Sequence, residues 1–142
     1  MPVRKGSAQW SGNLAEGKGV LNTETGVLKN TKYDAKSRFQ SGDTTNPEEI
    51  LGAAHAGCFS MALANSLAKA GFKVNSISTE DAVHIEKTDD GFTITRIDIS
   101  TVAEIEGIDN DTFQKHAADT KKACPVSRAL RSVEMTLEAK LK

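Results

Sequence analysis

A run free of Lys, Arg, Asp and Glu, from Ile50 to Ala68, constrains this chain more than any other feature. Its length is close to the roughly 20 apolar residues that span a bilayer. However, the run contains His55, Asn65 and two glycines, and about half of its apolar members are alanine. We therefore interpret it as a helix buried inside a soluble protein, and we expect no membrane segment.

The residues before this run mark the start of the helix. Asn46 is a suitable N-cap, and Pro47 suits the first helical position. Glu48 and Glu49 then place negative charge in the first turn, where the helix dipole favours it. The pattern predicts a central helix, apolar nearly all round, that ends near Lys69 and is buried on most sides.

Strand patterns surround the predicted helix. Before it, Lys18–Thr23 and Gly26–Lys29 predict a hairpin around Glu24–Thr25, and Tyr33–Phe39 is a weaker strand candidate. After it, the turn residues Asp89-Asp90-Gly91 predict a long hairpin, with a bulge where the apolar face switches at Arg96. The predicted segments after the central helix are strands Val74–Lys87 and Phe92–Ile105, helix Asp109–Lys122, a short helix from Cys124 to about Arg131, and strand Val133–Leu141.

This order of elements predicts an α+β fold with antiparallel sheets around a long buried central helix. We expect one domain over residues 1–142, because the chain has no repeat, linker composition or charge block. With 18 Lys and Arg against 19 Asp and Glu, it has no basic excess to bind nucleic acid. The N-terminal residues lack a signal-peptide core, and only two cysteines occur, which favours the cytoplasm.

The two cysteines are the candidates for chemistry. Cys124 directly precedes Pro125, so it is predicted to cap a short helix, where unpaired N–H groups stabilise a thiolate. Cys58 lies within the apolar helix, where the simplest interpretation is a small core residue. A thiolate at Cys58 would have a raised pKa and would need a cation. Arg38 is the candidate cation, and Glu48 could anchor its guanidinium.

Two interpretations use both cysteines together. The first is a redox pair that alternates between dithiol and disulfide. The second is a metal site with one of the three histidines. The histidines and cysteines stand singly, without the spacing of known metal motifs, so we expect no metal.

Four stretches resemble one protein family. The run Thr45–Leu63 resembles the central helix of the OsmC/Ohr family of osmotically inducible and organic hydroperoxide resistance proteins. The residues Ala123–Ser127 resemble the second cysteine motif of this family. The N-terminal stretches Ala8–Gly12 and Thr23–Leu28 are similar to its OsmC branch. The resemblance covers essentially the whole chain.

The resemblance implies an intertwined homodimer with two active sites at the subunit interface. It also implies thiol-dependent reduction of peroxides, with organic hydroperoxides preferred over hydrogen peroxide. Cys58 matches the cysteine that attacks the peroxide, and Cys124 matches the resolving cysteine. Glu48 matches the motif glutamate. Arg38 is our choice for the activating arginine, and Glu49 is a possible assistant.

The resemblance further implies that a dithiol, such as a protein-bound lipoyl group, restores the enzyme. We expect no metal, flavin or haem, because sulfur itself carries the two-electron chemistry. Phe39, Phe59 and Met61 are candidates to line an apolar substrate pocket. The alternatives are a non-catalytic stress protein that binds a hydrophobic ligand or partner, a metal-binding module, and a redox sensor.

Overall fold

The computed structural model describes all residues, 1–142. The chain divides into two compact units, Met1–Ile50 and Leu51–Lys142. The single-domain organisation over residues 1–142 stays a prediction.

The first unit contains an antiparallel sheet of three strands in the order β1 (Gly6–Ser11), β2 (Lys18–Thr23) and β3 (Thr31–Tyr33). The predicted strand Lys18–Thr23 is confirmed, but its partners are β1 and β3 rather than Gly26–Lys29. The predicted strand Tyr33–Phe39 is wrong beyond its first residue. The side chain of Asp34 accepts a hydrogen bond from the Ser37 N–H and begins a short helix, α1 (Ala35–Phe39).

The long helix α2 spans Pro47–Lys69, as its sequence predicts. Its first turn belongs to the first unit and the remainder to the second. Asn46 caps it, since its Oδ1 accepts a hydrogen bond of 2.9 Å from the Glu49 N–H. By length and composition alone, the helix could cross a membrane.

In the single chain, α2 is buried along one face rather than on most sides. The buried positions follow helical spacing and are Glu48, Gly52, His55, Phe59, Leu63 and Leu67. The opposite face is exposed although it is largely apolar, and its residues are Ala53, Ala54, Gly57, Met61, Asn65 and Ala68. The sequence pattern shows which residues are apolar, but it does not show which of them a second surface must cover.

The second unit contains a sheet in the order β4 (Lys73–Thr88), β5 (Gly91–Glu106) and β6 (Glu134–Leu141). The hairpin β4–β5 is antiparallel, and its register shifts where His84 faces Arg96 and Ile85 faces Ile94, which confirms the predicted bulge. Strands β5 and β6 pair in parallel, which corrects the prediction of purely antiparallel sheets. The helices between them return the chain to the start of β5, so β6 runs in the same direction.

Helices α3 (Asn110–Ala123) and α4 (Pro125–Ala129) connect β5 to β6. Asp109 caps α3, and Cys124 stands between the two helices. The core of this unit combines one face each of α2, β5 and α3. Its buried members are Phe59, Leu63, Leu67, Ile97, Ile99, Ala103, Ile105 and Phe113.

Candidate active site

The second unit brings the two cysteines together. Cys58 lies midway along α2, and Cys124 lies at the junction of α3 and α4. Their Sγ atoms are 2.8 Å apart, within hydrogen-bond distance, and both thiols are free. Cys124 has no solvent-exposed surface, whereas Cys58 is partly exposed. A small oxidant in solution therefore has direct access to Cys58 alone.

The two thiols differ in acidity. Burial raises the pKa of the Cys58 thiol, and the neighbouring Cys124 sulfur raises it further. Burial also disfavours the Cys124 thiolate. However, the neighbouring groups of Cys58 and Ser127 favour the Cys124 thiolate and lower the Cys124 pKa overall. Within one chain, Cys124 is thus the more acidic thiol. It is the N-cap residue of α4 as predicted, but its side chain makes no capping hydrogen bond there.

A buried histidine stands beside this pair. The His55 Nδ1–H donates to Asp81 Oδ2, and Nε2 lies 2.7 Å from Ser127 Oγ. The side chains of His55 and Asp81 have no exposed surface, and Ser127 is 3% exposed. From the sequence, His55 is a candidate only as a metal ligand, and neither Asp81 nor Ser127 is a candidate site residue. The helical spacing of His55 and Cys58 is the one signal that could have connected them.

The predicted arginine–glutamate pair forms in the first unit. Nε and Nη2 of Arg38, on α1, donate to Glu48 Oε1 at 2.9 and 2.7 Å. The Glu48 side chain is 7% exposed and that of Arg38 is 34% exposed. Both donors share one oxygen, and the second oxygen, Oε2, is buried without a hydrogen-bond partner. The Arg38 guanidinium also lies 5.6 Å from the centre of the Phe39 ring, a cation–π distance.

The remaining predicted residues are distributed differently. Glu49 is exposed, and its carboxylate accepts a hydrogen bond from the Thr45 hydroxyl rather than from Arg38. Phe59 is fully buried in the hydrophobic core, so it packs the fold and does not line an open pocket. Met61 and Phe39 are exposed large apolar residues, at 76% and 39%.

The first unit also contains a cavity beside Arg38 that the sequence analysis did not predict. It has a volume of about 280 Å³, and its lining is mostly apolar. The Trp10 and Tyr33 rings that form part of its wall are 5.4 Å apart. The lining residues are Trp10, Leu14, Tyr33, Asp34, Ala35, Arg38 and Pro47. Only the aromatic residues near the N-terminus could have indicated it.

The sequence comparisons agree with the resemblance described above. A family model described as "OsmC-like protein" matches residues 40–138. Peroxiredoxin OsmC of Escherichia coli is 45% identical over 139 residues, which cover 98% of this chain and 96% of the relative. Organic hydroperoxide resistance protein OhrB of Bacillus subtilis is 29% identical over 132 residues, 92% of this chain and 90% of the relative.

Solved structures show the same fold. An organic hydroperoxide resistance protein OsmC from Legionella pneumophila superposes with a TM-score of 0.72 at 23% identity, over 99% of both chains. OhrB of Bacillus subtilis superposes with a TM-score of 0.65 at 24% identity, over 97% of this chain and 98% of that one.

These matches define the class as cysteine-based peroxidases, which are oxidoreductases. The chain belongs to the OsmC-like family, and the resemblance predicted from its two cysteine motifs is confirmed.

Proposed function

We propose that the protein reduces organic hydroperoxides through Cys58 and resolves the oxidised sulfur through Cys124. The observation that carries this proposal is the 2.8 Å separation of two free thiol sulfurs, one partly exposed and one buried. Two thiols at this distance need little movement to form a disulfide.

The reaction has two steps. The Cys58 thiolate attacks the terminal peroxide oxygen, the O–O bond breaks, and the alkoxide leaves as an alcohol after it gains a proton. Cys58 becomes a sulfenic acid. Cys124 then attacks the Cys58 sulfur, the S–OH bond breaks, and water leaves as the disulfide forms. An external dithiol restores both thiols by exchange.

Exposure supports the assignment of the two sulfurs. Cys58 is partly exposed and can react with a peroxide from solution, whereas Cys124 is fully buried and has no contact with solvent. The raised pKa of Cys58 within one chain means that its thiolate needs a cation from elsewhere. We propose the Arg38–Glu48 pair for this role, because the guanidinium is permanently charged and can also orient peroxide oxygens.

Helix geometry favours a pair from a second subunit. Glu48 and Cys58 stand ten positions apart on α2, a rise of about 15 Å. This rise alone keeps the Glu48 side chain, which holds Arg38, from touching Cys58 of its own chain. In an intertwined homodimer, this arginine can serve Cys58 of the partner subunit.

Two features of the single chain support the homodimer. The exposed face of α2 is largely apolar and includes Met61, which is 76% exposed. Exposed apolar faces of this kind usually mark an interface. In addition, Glu48 Oε2 is buried without a partner, and a donor from a second chain would satisfy it.

The cavity beside Arg38 is our candidate for the organic part of the substrate. Its apolar wall suits an alkyl or aryl group, and Arg38 stands where the peroxide end would be held. Phe39 and Met61 stay candidates to line the substrate pocket, and Glu49 stays a candidate to assist the Arg38–Glu48 pair. We propose that the reductant is a dithiol such as a lipoyl group, that no metal, flavin or haem takes part, and that the protein works in the cytoplasm.

The test is a measurement of intact mass under non-reducing conditions. The reduced protein is mixed with one equivalent of cumene hydroperoxide, beside the Cys58→Ser variant and the Cys124→Ser variant. We expect a loss of two hydrogens in the natural chain, no oxidation in Cys58→Ser, and a gain of one oxygen in Cys124→Ser. Two free thiols and an unchanged mass in the natural chain would refute the proposal and favour the ligand-binding alternative.

A further inference from the structure

A buried chain of polar groups leads from β4 to the resolving cysteine. Asp81 accepts the hydrogen bond of His55 Nδ1–H, and His55 Nε2 meets Ser127 Oγ at 2.7 Å. Ser127 lies in the first turn of α4, three positions after Cys124, and its proximity contributes to the lowered pKa of the Cys124 thiol. The order of groups is therefore carboxylate, imidazole, hydroxyl and thiol, all inside the second unit.

Burying these polar groups costs folding free energy, and a role in the reaction would explain why they are present. The side chains of Asp81 and His55 have no exposed surface, and Asp81 Oδ1 is buried without a hydrogen-bond partner. An apolar pair of similar size would avoid the cost of removing these groups from water. The carboxylate fixes the imidazole with Nδ1 protonated, which leaves Nε2 as an acceptor directed at Ser127 and the thiol beyond it.

The packing of α2 on β4 makes this contact possible. Gly52 stands one helical turn before His55, and an added Cβ there would lie 3.2 Å from the Asp81 carbonyl oxygen. The missing side chain lets the helix approach the strand closely at Asp81. The three side chains are therefore placed by three separate elements, α2, β4 and α4.

We propose that His55, oriented by Asp81, is the proton acceptor for Cys124 when Cys124 resolves the Cys58 sulfenic acid. This inference rests on the proposed function and adds residues to its second step. His55 is then a catalytic residue for disulfide formation, and Asp81 is a positioning residue that acts through it.

The proton balance of the step is complete. The Cys124 thiol proton passes through the Ser127 hydroxyl to His55 Nε2, which leaves an imidazolium paired with Asp81. The Cys124 thiolate attacks the Cys58 sulfur and forms the S–S bond. The S–OH bond of the sulfenic acid breaks, and the leaving hydroxide takes the proton back from His55 to become water. No other reactant is required.

The electrostatics of the buried groups agree with this route. The hydrogen bond to Asp81 raises the pKa of His55 despite its burial, and the charges of Asp81 and Cys124 raise it further. The titratable groups that face this centre are Asp81 from β4, Cys124 at the start of α4 and, across the sulfur pair, Cys58 from α2. A basic imidazole beside an acidic thiol is the pairing that proton transfer requires.

The experiment separates the two steps in a single turnover. Reduced protein is mixed with one equivalent of cumene hydroperoxide. Peroxide consumption reports the first step, and quenched-flow mass measurement of the disulfide reports the second. The variants are Asp81→Asn, which keeps the shape and removes the charge, and His55→Gln. His116→Asn is the matched control, because its Nδ1 also lies 2.7 Å from a serine hydroxyl, that of Ser66, outside the site.

We expect both site variants to consume peroxide at the natural rate and to form the disulfide at least ~10-fold more slowly at pH 7. We also expect the pKa of Cys124 to be higher in the variants than in the natural chain. Below this pKa, the rate of disulfide formation in the variants should fall tenfold for each unit of pH, while the natural chain keeps its rate to lower pH. A merely structural role for Asp81 would not move this profile. The control should match the natural chain in both steps.

Two outcomes would overturn the inference. If both site variants form the disulfide at the natural rate with the natural pH profile, the relay is refuted while the proposed peroxidase scheme stands. If the natural chain consumes no peroxide and forms no disulfide, the proposed function fails and the relay fails with it.

Discussion

The protein contains two buried carboxylates, and each accepts a hydrogen bond from a nitrogen-containing side chain. The two nitrogen groups differ in whether they can take up and release a proton. In the first unit, Glu48 holds Arg38 through one oxygen, and in the second unit Asp81 holds His55 through one oxygen. In both pairs the second carboxylate oxygen is buried without a partner. The geometry is similar, but a guanidinium serves only as a hydrogen-bond donor, whereas an imidazole can also accept and release a proton.

This difference suggests a division of labour between the two steps of the reaction. A permanent positive charge suits the task of stabilising a thiolate and orienting a peroxide, which must work regardless of small changes in pH. A group that gains and loses a proton suits the second step, in which Cys124 must lose a proton and hydroxide must gain one. If the two pairs differ in this way, substitutions in them should affect different steps of the reaction.

The largest effect is expected for Arg38→Lys. The guanidinium makes two contacts to Glu48 Oε1, at 2.9 and 2.7 Å, and an ammonium group cannot reproduce their fork geometry. A lost charged hydrogen bond in the transition state corresponds to about 10- to 100-fold in rate. We expect kcat/KM for cumene hydroperoxide to fall by this factor while circular dichroism stays unchanged. Full activity in Arg38→Lys would remove Arg38 from the first step.

A smaller effect is expected for Glu48→Gln. The amide oxygen can still accept from Arg38, but the bond loses its charge on the acceptor side and the arginine is held less firmly. We expect roughly tenfold lower kcat/KM, with the loss confined to peroxide consumption. Glu49→Gln is the matched control, because Glu49 bonds Thr45 and not Arg38. Equal losses in the two variants would indicate a general effect of charge in the first turn.

The sequence predicts the elements of the second unit better than their pairing. Helix α2 begins at Pro47 as predicted, because Asn46 and Pro47 are strong local signals. The β4–β5 hairpin follows from the turn around Gly91, where φ is +102°. The parallel pairing of β6 depends on the direction in which α3 and α4 return the chain, and the alternation of its own residues contains no such information.

The site shows the same division between local and tertiary information. The Cys58, Cys124 and Glu48 motifs could be found from the sequence, and Arg38 followed from them through the resemblance. Asp81 could not be found, because it lies on a strand among other polar residues. Its role depends on the approach of α2 to β4, which only the folded chain reveals.

The pH dependence of stability should distinguish the two pairs. The hydrogen bond to Asp81 raises the pKa of His55 above its unfolded value near 6.5. The stabilisation of the fold by the His55–Asp81 pair is therefore fully present below pH 6.5. It is lost as the pH rises through the folded pKa. We therefore expect the stability difference between the natural chain and Asp81→Asn, in urea with both thiols reduced, to be larger at pH 6 than at pH 9.

The matching measurement on the first unit uses Arg38→Lys. Because this pair contains no imidazole, the group that changes charge between pH 5 and 8, the stability difference from the natural chain should be constant between pH 6 and pH 9. A difference for Arg38→Lys that changed with pH as the Asp81→Asn difference does would erase the distinction between the pairs.

The smallest effect is expected for Gly52→Ala, which changes the distance between α2 and β4 instead of any charge. Replacing a glycine by alanine inside a helix stabilises the helix by about 0.5–1 kcal/mol. The new Cβ would stand 3.2 Å from the Asp81 carbonyl oxygen and 3.4 Å from Val83 Cγ2, so the helix must move by a few tenths of an ångström. We expect these effects to offset each other within about 1 kcal/mol in the free energy of unfolding. Because the shift separates His55 from Asp81, we also expect slower disulfide formation with unchanged peroxide consumption. A variant that gains the full helical stability and keeps the natural disulfide rate would show that the close approach at Gly52 is not what places His55 on Asp81.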